Sequence, residues 1–148
     1  MLCIGILVVE DFEPWRRFIS SMVEKEPQLR IVCEVSDGLE AVQKAQELKP
    51  DLILLDIGLP RLNGIEAARQ IHSFAPRSKI LFFSQESSAA VVREAMRIGT
   101  GFVVKGDAGR ELLSAVRAVI LGEEFLSSRC RDHFFEKAMD WAVPEGLQ

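Results

Sequence analysis

Tyrosine is absent from this chain of 148 residues, and histidine occurs only twice. The cysteines, Cys3, Cys33 and Cys130, are odd in number, far apart, and form no Cys-x-x-Cys pair. That pattern argues against a disulfide framework or a common zinc site, and the plain expectation is three small buried hydrophobes. No apolar run nears the ~20 residues that cross a bilayer, so no membrane contact is expected. There is no excess of cations either. Lys and Arg total 18 against 22 Asp and Glu, for a net charge of −4. A phosphate backbone attracts basic patches, so direct nucleic-acid binding is not expected. Residues 1–11 carry no basic n-region and no small-residue cleavage site, and a cytoplasmic location is expected. With 48% hydrophobic and 27% charged residues, the chain has the size and composition of one globular domain.

What is present is a strict alternation. Short apolar runs such as Ile4–Val9 and Leu52–Leu55 read as strands buried on both faces. Between them lie segments with apolar residues at helical spacing. Trp15, Phe18, Ile19, Met22 and Val23 form one stripe after Pro14, a residue tolerated in a helix's first turn. Asp37 with Glu40 marks a capped helix start, and Leu39, Val42, Ala45 and Leu48 follow it. Residues 58–64, Gly-Leu-Pro-Arg-Leu-Asn-Gly, form a loop of breakers. Further strands are expected over Leu29–Val35, 80–83 and 102–104, with helices around Ile65–Ala68–Ile71, Val91–Ala95–Ile98 and Leu113–Val116–Ile120. Five strand–helix units predict an α/β fold with a doubly wound parallel sheet and helices on both faces. Residues 1–126 are expected to form this domain. Residues 127–148 are expected to be a tail and not a separate domain, with Phe134, Phe135, Ala138, Trp141 and Ala142 on an extra helix.

In an open parallel sheet, ligands bind beyond the carboxyl ends of the strands. Those ends carry Glu10 and Asp11, then Asp56, then Ser84, then Lys105. Each alone has a bland reading: a turn residue, a helix cap, a loop hydroxyl or a solvated charge. Together they are three acids, a hydroxyl and an ammonium at one sheet edge. Close carboxylates repel unless a cation compensates. Oxygen ligands without His or Cys favour Mg²⁺ over zinc. A lysine and a hydroxyl complete a cradle for a phosphoryl group, and a carboxylate can accept it as an aspartyl phosphate.

The segments Val8-Val9-Glu10-Asp11, Leu54-Leu55-Asp56-Ile57-Gly58-Leu59-Pro60 with Asn63-Gly64, Phe83-Ser84 and Gly101-Phe102-Val103-Val104-Lys105 resemble the bacterial response-regulator receiver family. The likeness covers about residues 3–122 and is nearest to receivers fused to LuxR-type DNA-binding domains. It implies a flavodoxin-like fold of five strands in the order 2-1-3-4-5. It implies that Asp56 takes a phosphoryl group from a sensor histidine kinase or phosphotransfer protein, and that Glu10, Asp11, Asp56 and the Gly58 carbonyl hold Mg²⁺. Ser84 and Lys105 would bind the phosphoryl group. Ser84 and Phe102 would form a switch that alters the surface of the fourth helix, fifth strand and fifth helix. Gly58, Gln85 and Glu86 would border the water path that limits the phosphoryl lifetime. His72 and His133 are expected to take no part.

Gly106 follows Lys105 where the wider family usually has proline, which leaves the shape of that loop open. The chain is expected to be a stand-alone receiver or one cut from a longer DNA-binding regulator, with a homodimer as a possible assembly. A receiver-like interaction module without phosphorylation is the main alternative. A haloacid-dehalogenase-type phosphatase would need a second acid where Gly58 stands. A flavin-binding module would need a phosphate loop where Glu10 to Glu13 would repel phosphate.

Overall fold

The structure, a computed structural model, describes residues 3–131. Five strands fall where the apolar runs predict them: β1 Ile4–Val9, β2 Leu29–Val35, β3 Leu52–Leu55, β4 Lys79–Ser84 and β5 Gly101–Val104. The helices are α1 Glu13–Val23, α2 Gly38–Leu48, α3 Gly64–Phe74, α4 Ala89–Met96 and α5 Ala108–Ile120. Local chemistry sets the helix starts. The Glu40 N–H donates to Asp37 Oδ1 at 2.8 Å, and the Glu66 N–H donates to Asn63 Oδ1 at 3.0 Å. Each removes one orphan donor from a first turn. α1 has no side-chain cap, and Pro14 opens it instead.

The sheet is wholly parallel and has six strands, in the order β2-β1-β3-β4-β5-β6. The first five positions match the expected order 2-1-3-4-5. The expectation of five strands is corrected by β6, Phe125–Leu126, which pairs with Gly101 and Phe102 on the outer edge of β5. Gly122 adopts a left-handed conformation, φ 83°, that turns the chain back after α5. The Phe125 N–H then donates to Thr100 O and the Ser127 N–H to Phe102 O. Two residues show no periodicity, so only pairing reveals such a strand. The expected extra helix with Phe134, Phe135, Ala138, Trp141 and Ala142 lies outside the described residues.

Every residue of β3 is buried, because both sheet faces are covered. Ile53 and Leu55 pack with α2, α3 and α4 through Ala41, Ala45, Ala68, Ile71, Val92 and Ala95. Leu52 and Leu54 pack with Ile19, Met22 and Val23 of α1 and with Leu112, Val116 and Val119 of α5. α2 turns Gly38, Ala41 and Ala45 inward and leaves Leu39 and Leu48 exposed, so its apolar stripe is shifted from the expected one. Of the cysteines only Cys130 is buried. Cys3 is exposed and Cys33 half-buried, against the expectation for all three. No described helix is long and apolar enough to cross a membrane.

Candidate acidic phosphoryl-acceptor site

Four strands deliver the site. β1 ends at Val9, and Glu10 and Asp11 follow it. β3 delivers Asp56, β4 ends in Ser84, and β5 delivers Lys105. Glu10, Asp11, Asp56, Gly58, Ser84, Gln85, Glu86 and Lys105 line one cavity, so the structure brings together every expected site residue except Phe102. The Phe102 ring is fully buried against Phe82, 6.4 Å between centroids, and points inward.

The charges are tightly grouped. One carboxylate oxygen from each of Glu10, Asp11 and Asp56 lies within 4.8 Å of the others. Glu10 and Asp56 are buried and Asp11 is exposed. Lys105 Nζ reaches Glu10 Oε1 at 2.6 Å and donates to Asp56 Oδ2 at 3.3 Å. The ammonium therefore bridges the two buried carboxylates. Burial pushes the Glu10 carboxyl above the ordinary glutamate range. The Lys105 ammonium and the Phe12 N–H oppose that shift, and the Asp56 carboxylate adds to it.

Three carboxylates against one ammonium leave two negative charges uncompensated. A divalent cation on oxygen ligands would balance them, and three carboxylates grouped this closely, with no His or Cys among them, fit such an ion. The loop after β3 is shaped around Asp56. The Gly58 N–H donates to Asp56 Oδ1 at 3.3 Å. A Cβ at Gly64 would lie 2.0 Å from the Asp56 carbonyl oxygen, so only glycine lets the loop close there. At Gly58 a Cβ would meet nothing within 4 Å, so that side of the cavity is open.

Ser84 is buried, and its Oγ accepts the Glu86 N–H at 3.0 Å. Gln85 and Glu86 are exposed and precede α4, whose N-cap is Ser88. The Lys105 loop forms a short 3-10 turn over Lys105–Asp107, and no cis peptide occurs among the described residues. His72 stands in the last turn of α3, away from the cavity lining. His133 lies outside the described residues.

Sequence reasoning missed two features. Phe12 and Trp15 line the cavity, although Trp15 reads as core from its stripe. Its place four residues after Asp11, one helical turn away, was the available signal. Asp107 is the other. It is buried, and Arg129 grips it with Nε and Nη2, each at 2.9 Å.

The family model for the response regulator receiver domain matches residues 6–117. The chain is 43% identical over 104 residues to a protein-glutamate methylesterase/protein-glutamine glutaminase of Thermotoga maritima, covering 69% of this chain and 30% of that protein. It is 34% identical over 123 residues to the response regulator protein VraR of Staphylococcus aureus, covering 82% and 59%. These curated relatives are thus longer proteins, of which the chain spans between three-tenths and three-fifths. Among solved structures, a LuxR-family two-component response regulator from Aurantimonas sp. superposes with a TM-score of 0.88 at 28% identity, over 93% of this chain and 99% of that one. The response regulator domain of Thermotoga maritima CheB gives 0.74 at 34% identity, over 80% and 97%. The matched span runs from β1 into α5 and includes every residue expected in the acidic cavity, so the chain belongs to the response regulator receiver domain family.

Proposed function

We propose that Asp56 is the phosphoacceptor of this receiver. A carboxylate oxygen of Asp56 attacks phosphorus, and an O–P bond forms. The N–P bond to a phosphohistidine donor breaks, leaving its electron pair on the donor imidazole. Glu10, Asp11, Asp56 and the Gly58 carbonyl would hold Mg²⁺. Bound there, the ion would offset charge on the carboxylates and on the phosphoryl oxygens. Lys105 pairs with the transferred group, and Ser84 donates its hydroxyl hydrogen to it. The observation that carries this reading is the Lys105 ammonium bridging Glu10 and Asp56 beside a third carboxylate.

The reading extends to the donor and the output. The donor is a sensor histidine kinase or a phosphotransfer protein. Phosphorylation shifts the packing of Ser84 and Phe102 and so changes the surface of α4, β5 and α5. The likeness to a LuxR-family two-component response regulator supports reading the chain as the receiver of such a regulator, with any DNA-binding output outside residues 1–126. Residues 127–148 belong with the receiver. Burial of Ser127 and Cys130 against it supports that assignment. Incubation with acetyl phosphate and Mg²⁺, followed by intact-protein mass spectrometry, should add one phosphoryl group. No gain in mass would leave the interaction-module reading.

A further inference from the structure

We infer that Trp15 is a positioning residue for phosphoryl transfer, forming with Phe83 an aromatic corner that steers the Lys105 ammonium. The inference rests on the reading that Lys105 serves the phosphoryl group. Lys105 Nζ lies 5.4 Å from the centroid of the Trp15 ring and 5.4 Å from that of Phe83. Both distances fall inside the range of about 6 Å in which a ring quadrupole attracts a cation. The two rings meet edge to face, 5.3 Å apart at 82°. Phe18 also meets Trp15 edge to face, at 5.6 Å and 90°, so two rings hold the indole. The ammonium is therefore bounded by π systems and by the carboxylates of Glu10 and Asp56.

This arrangement suits a group that must move. Before transfer, Lys105 pairs with the Asp56 carboxylate. Afterwards that oxygen is bonded to phosphorus, and the negative charge sits on the phosphoryl oxygens. A hydrogen-bond acceptor in place of the rings would fix the ammonium in one direction. A ring face attracts it with little directional preference, so Lys105 can shift by an ångström or so without losing the contact. The rings also deny water to the buried lysine stem, which strengthens its pairing with anions. Trp15 sits in the first turn of α1, and the Phe12 N–H that precedes this helix donates to Glu10 Oε2 at 3.0 Å. Helix start, ring and acid are thus placed as one unit.

The test compares Trp15→Leu with Trp15→Phe in the full chain. Leucine keeps apolar packing and loses the π face, whereas phenylalanine keeps it. Acetyl phosphate is the donor, because a small donor needs no protein docking on α1. Trp15→Leu should slow phosphorylation about fivefold, or ~1 kcal/mol. It should weaken beryllofluoride binding to a similar degree while Mg²⁺ affinity, followed by amide shifts, stays within twofold. Trp15→Phe should recover most of the rate. Phe83→Leu removes the second ring and should reproduce the same split, which keeps the test decisive if the Trp15→Leu protein folds poorly. Wild-type rates in Trp15→Leu, or equal slowing in Trp15→Leu and Trp15→Phe, would overturn the aromatic corner. Lys105→Met separates the two levels. If it is slow while Trp15→Leu is not, only the corner fails. If it phosphorylates like wild type, the reading of Lys105 itself fails.

Discussion

Lys105 and Asp107 stand two residues apart, both are buried, and their surroundings carry opposite imbalances. Around Lys105, one ammonium meets two carboxylates directly, with a third close by. Around Asp107, one carboxylate meets two guanidiniums, those of Arg110 and Arg129. The acid in the first cluster, Glu10, is pushed above its ordinary range by burial, whereas Asp107 is held below its own by the Arg129 hydrogen bonds. Buried charge left short of partners is a place prepared for something else to bind. Buried charge with partners in excess is a clamp. Here the clamp ties the strap of residues 125–131 to the loop that carries Lys105. Arg129 passes over Gly106, where a Cβ would lie 3.3 Å from its Nη2, and Ser127 Oγ accepts the Val104 N–H at 2.9 Å.

The comparison predicts effects of different kinds. Asp56→Asn, in the short-partnered cluster, should abolish the gain of a phosphoryl mass from acetyl phosphate while leaving the fold intact by circular dichroism. A mass gain in that variant would move the acceptor elsewhere. Ser127→Ala, in the strap, should cost about 1–3 kcal/mol in urea unfolding, because the buried Val104 N–H loses its acceptor. It should not prevent phosphorylation.

The two clusters should also answer pH with opposite signs. The Asp107 carboxyl is lowered in the folded state, so its contribution to stability is present above the ordinary aspartate value of about 3.9. That contribution is lost as pH falls through the lower folded value. Arg129→Ala should therefore lower the melting temperature at neutral pH and converge on wild type at strongly acid pH. Glu10 is raised, so its protonated form adds stability that is complete below about pH 4.3 and fades as pH rises through the higher folded value. Without Mg²⁺, wild type should lose stability relative to Glu10→Gln over that rise. Parallel curves for the two pairs would break the distinction between site and clamp.

The smallest expected effect concerns Gln85, exposed at the cavity rim. A Cβ at Gly58 would meet nothing within 4 Å, and we propose that Gln85, on the cavity rim, covers the site. Gln85→Ala should shorten the phosphoryl lifetime several-fold, where tenfold is ~1.4 kcal/mol of barrier, and should speed phosphorylation by small donors. Unchanged rates in both directions would show that Gln85 points away.

Much of the site is legible in the amino-acid sequence. Asp56 and Lys105 each follow a short apolar run, and parallel strands in one sheet must end at one edge, so their convergence with Glu10 and Asp11 follows from alternation alone. The helix starts at Asp37 and Asn63 were equally readable, because a cap acts across three residues. Trp15 was not. Helical spacing places it on the apolar stripe, but whether that end of the stripe meets core or cavity depends on how α1 lies across the sheet beside α5. The strap was hidden for a different reason. Asp107 and Arg129 are 22 residues apart, and Val104 and Ser127 are 23 apart. Neither pair shares an element whose period could announce it.

Strand periodicity and chain order suffice to specify the parallel α/β sheet and to place the acids, the hydroxyl and the ammonium at its edge. Tertiary structure alone decided which charges are short of partners, which rings face Lys105, and that residues 125–126 extend the sheet. Those outcomes depend on distances between segments that no local pattern links, and a buried charge takes its character from what surrounds it in space.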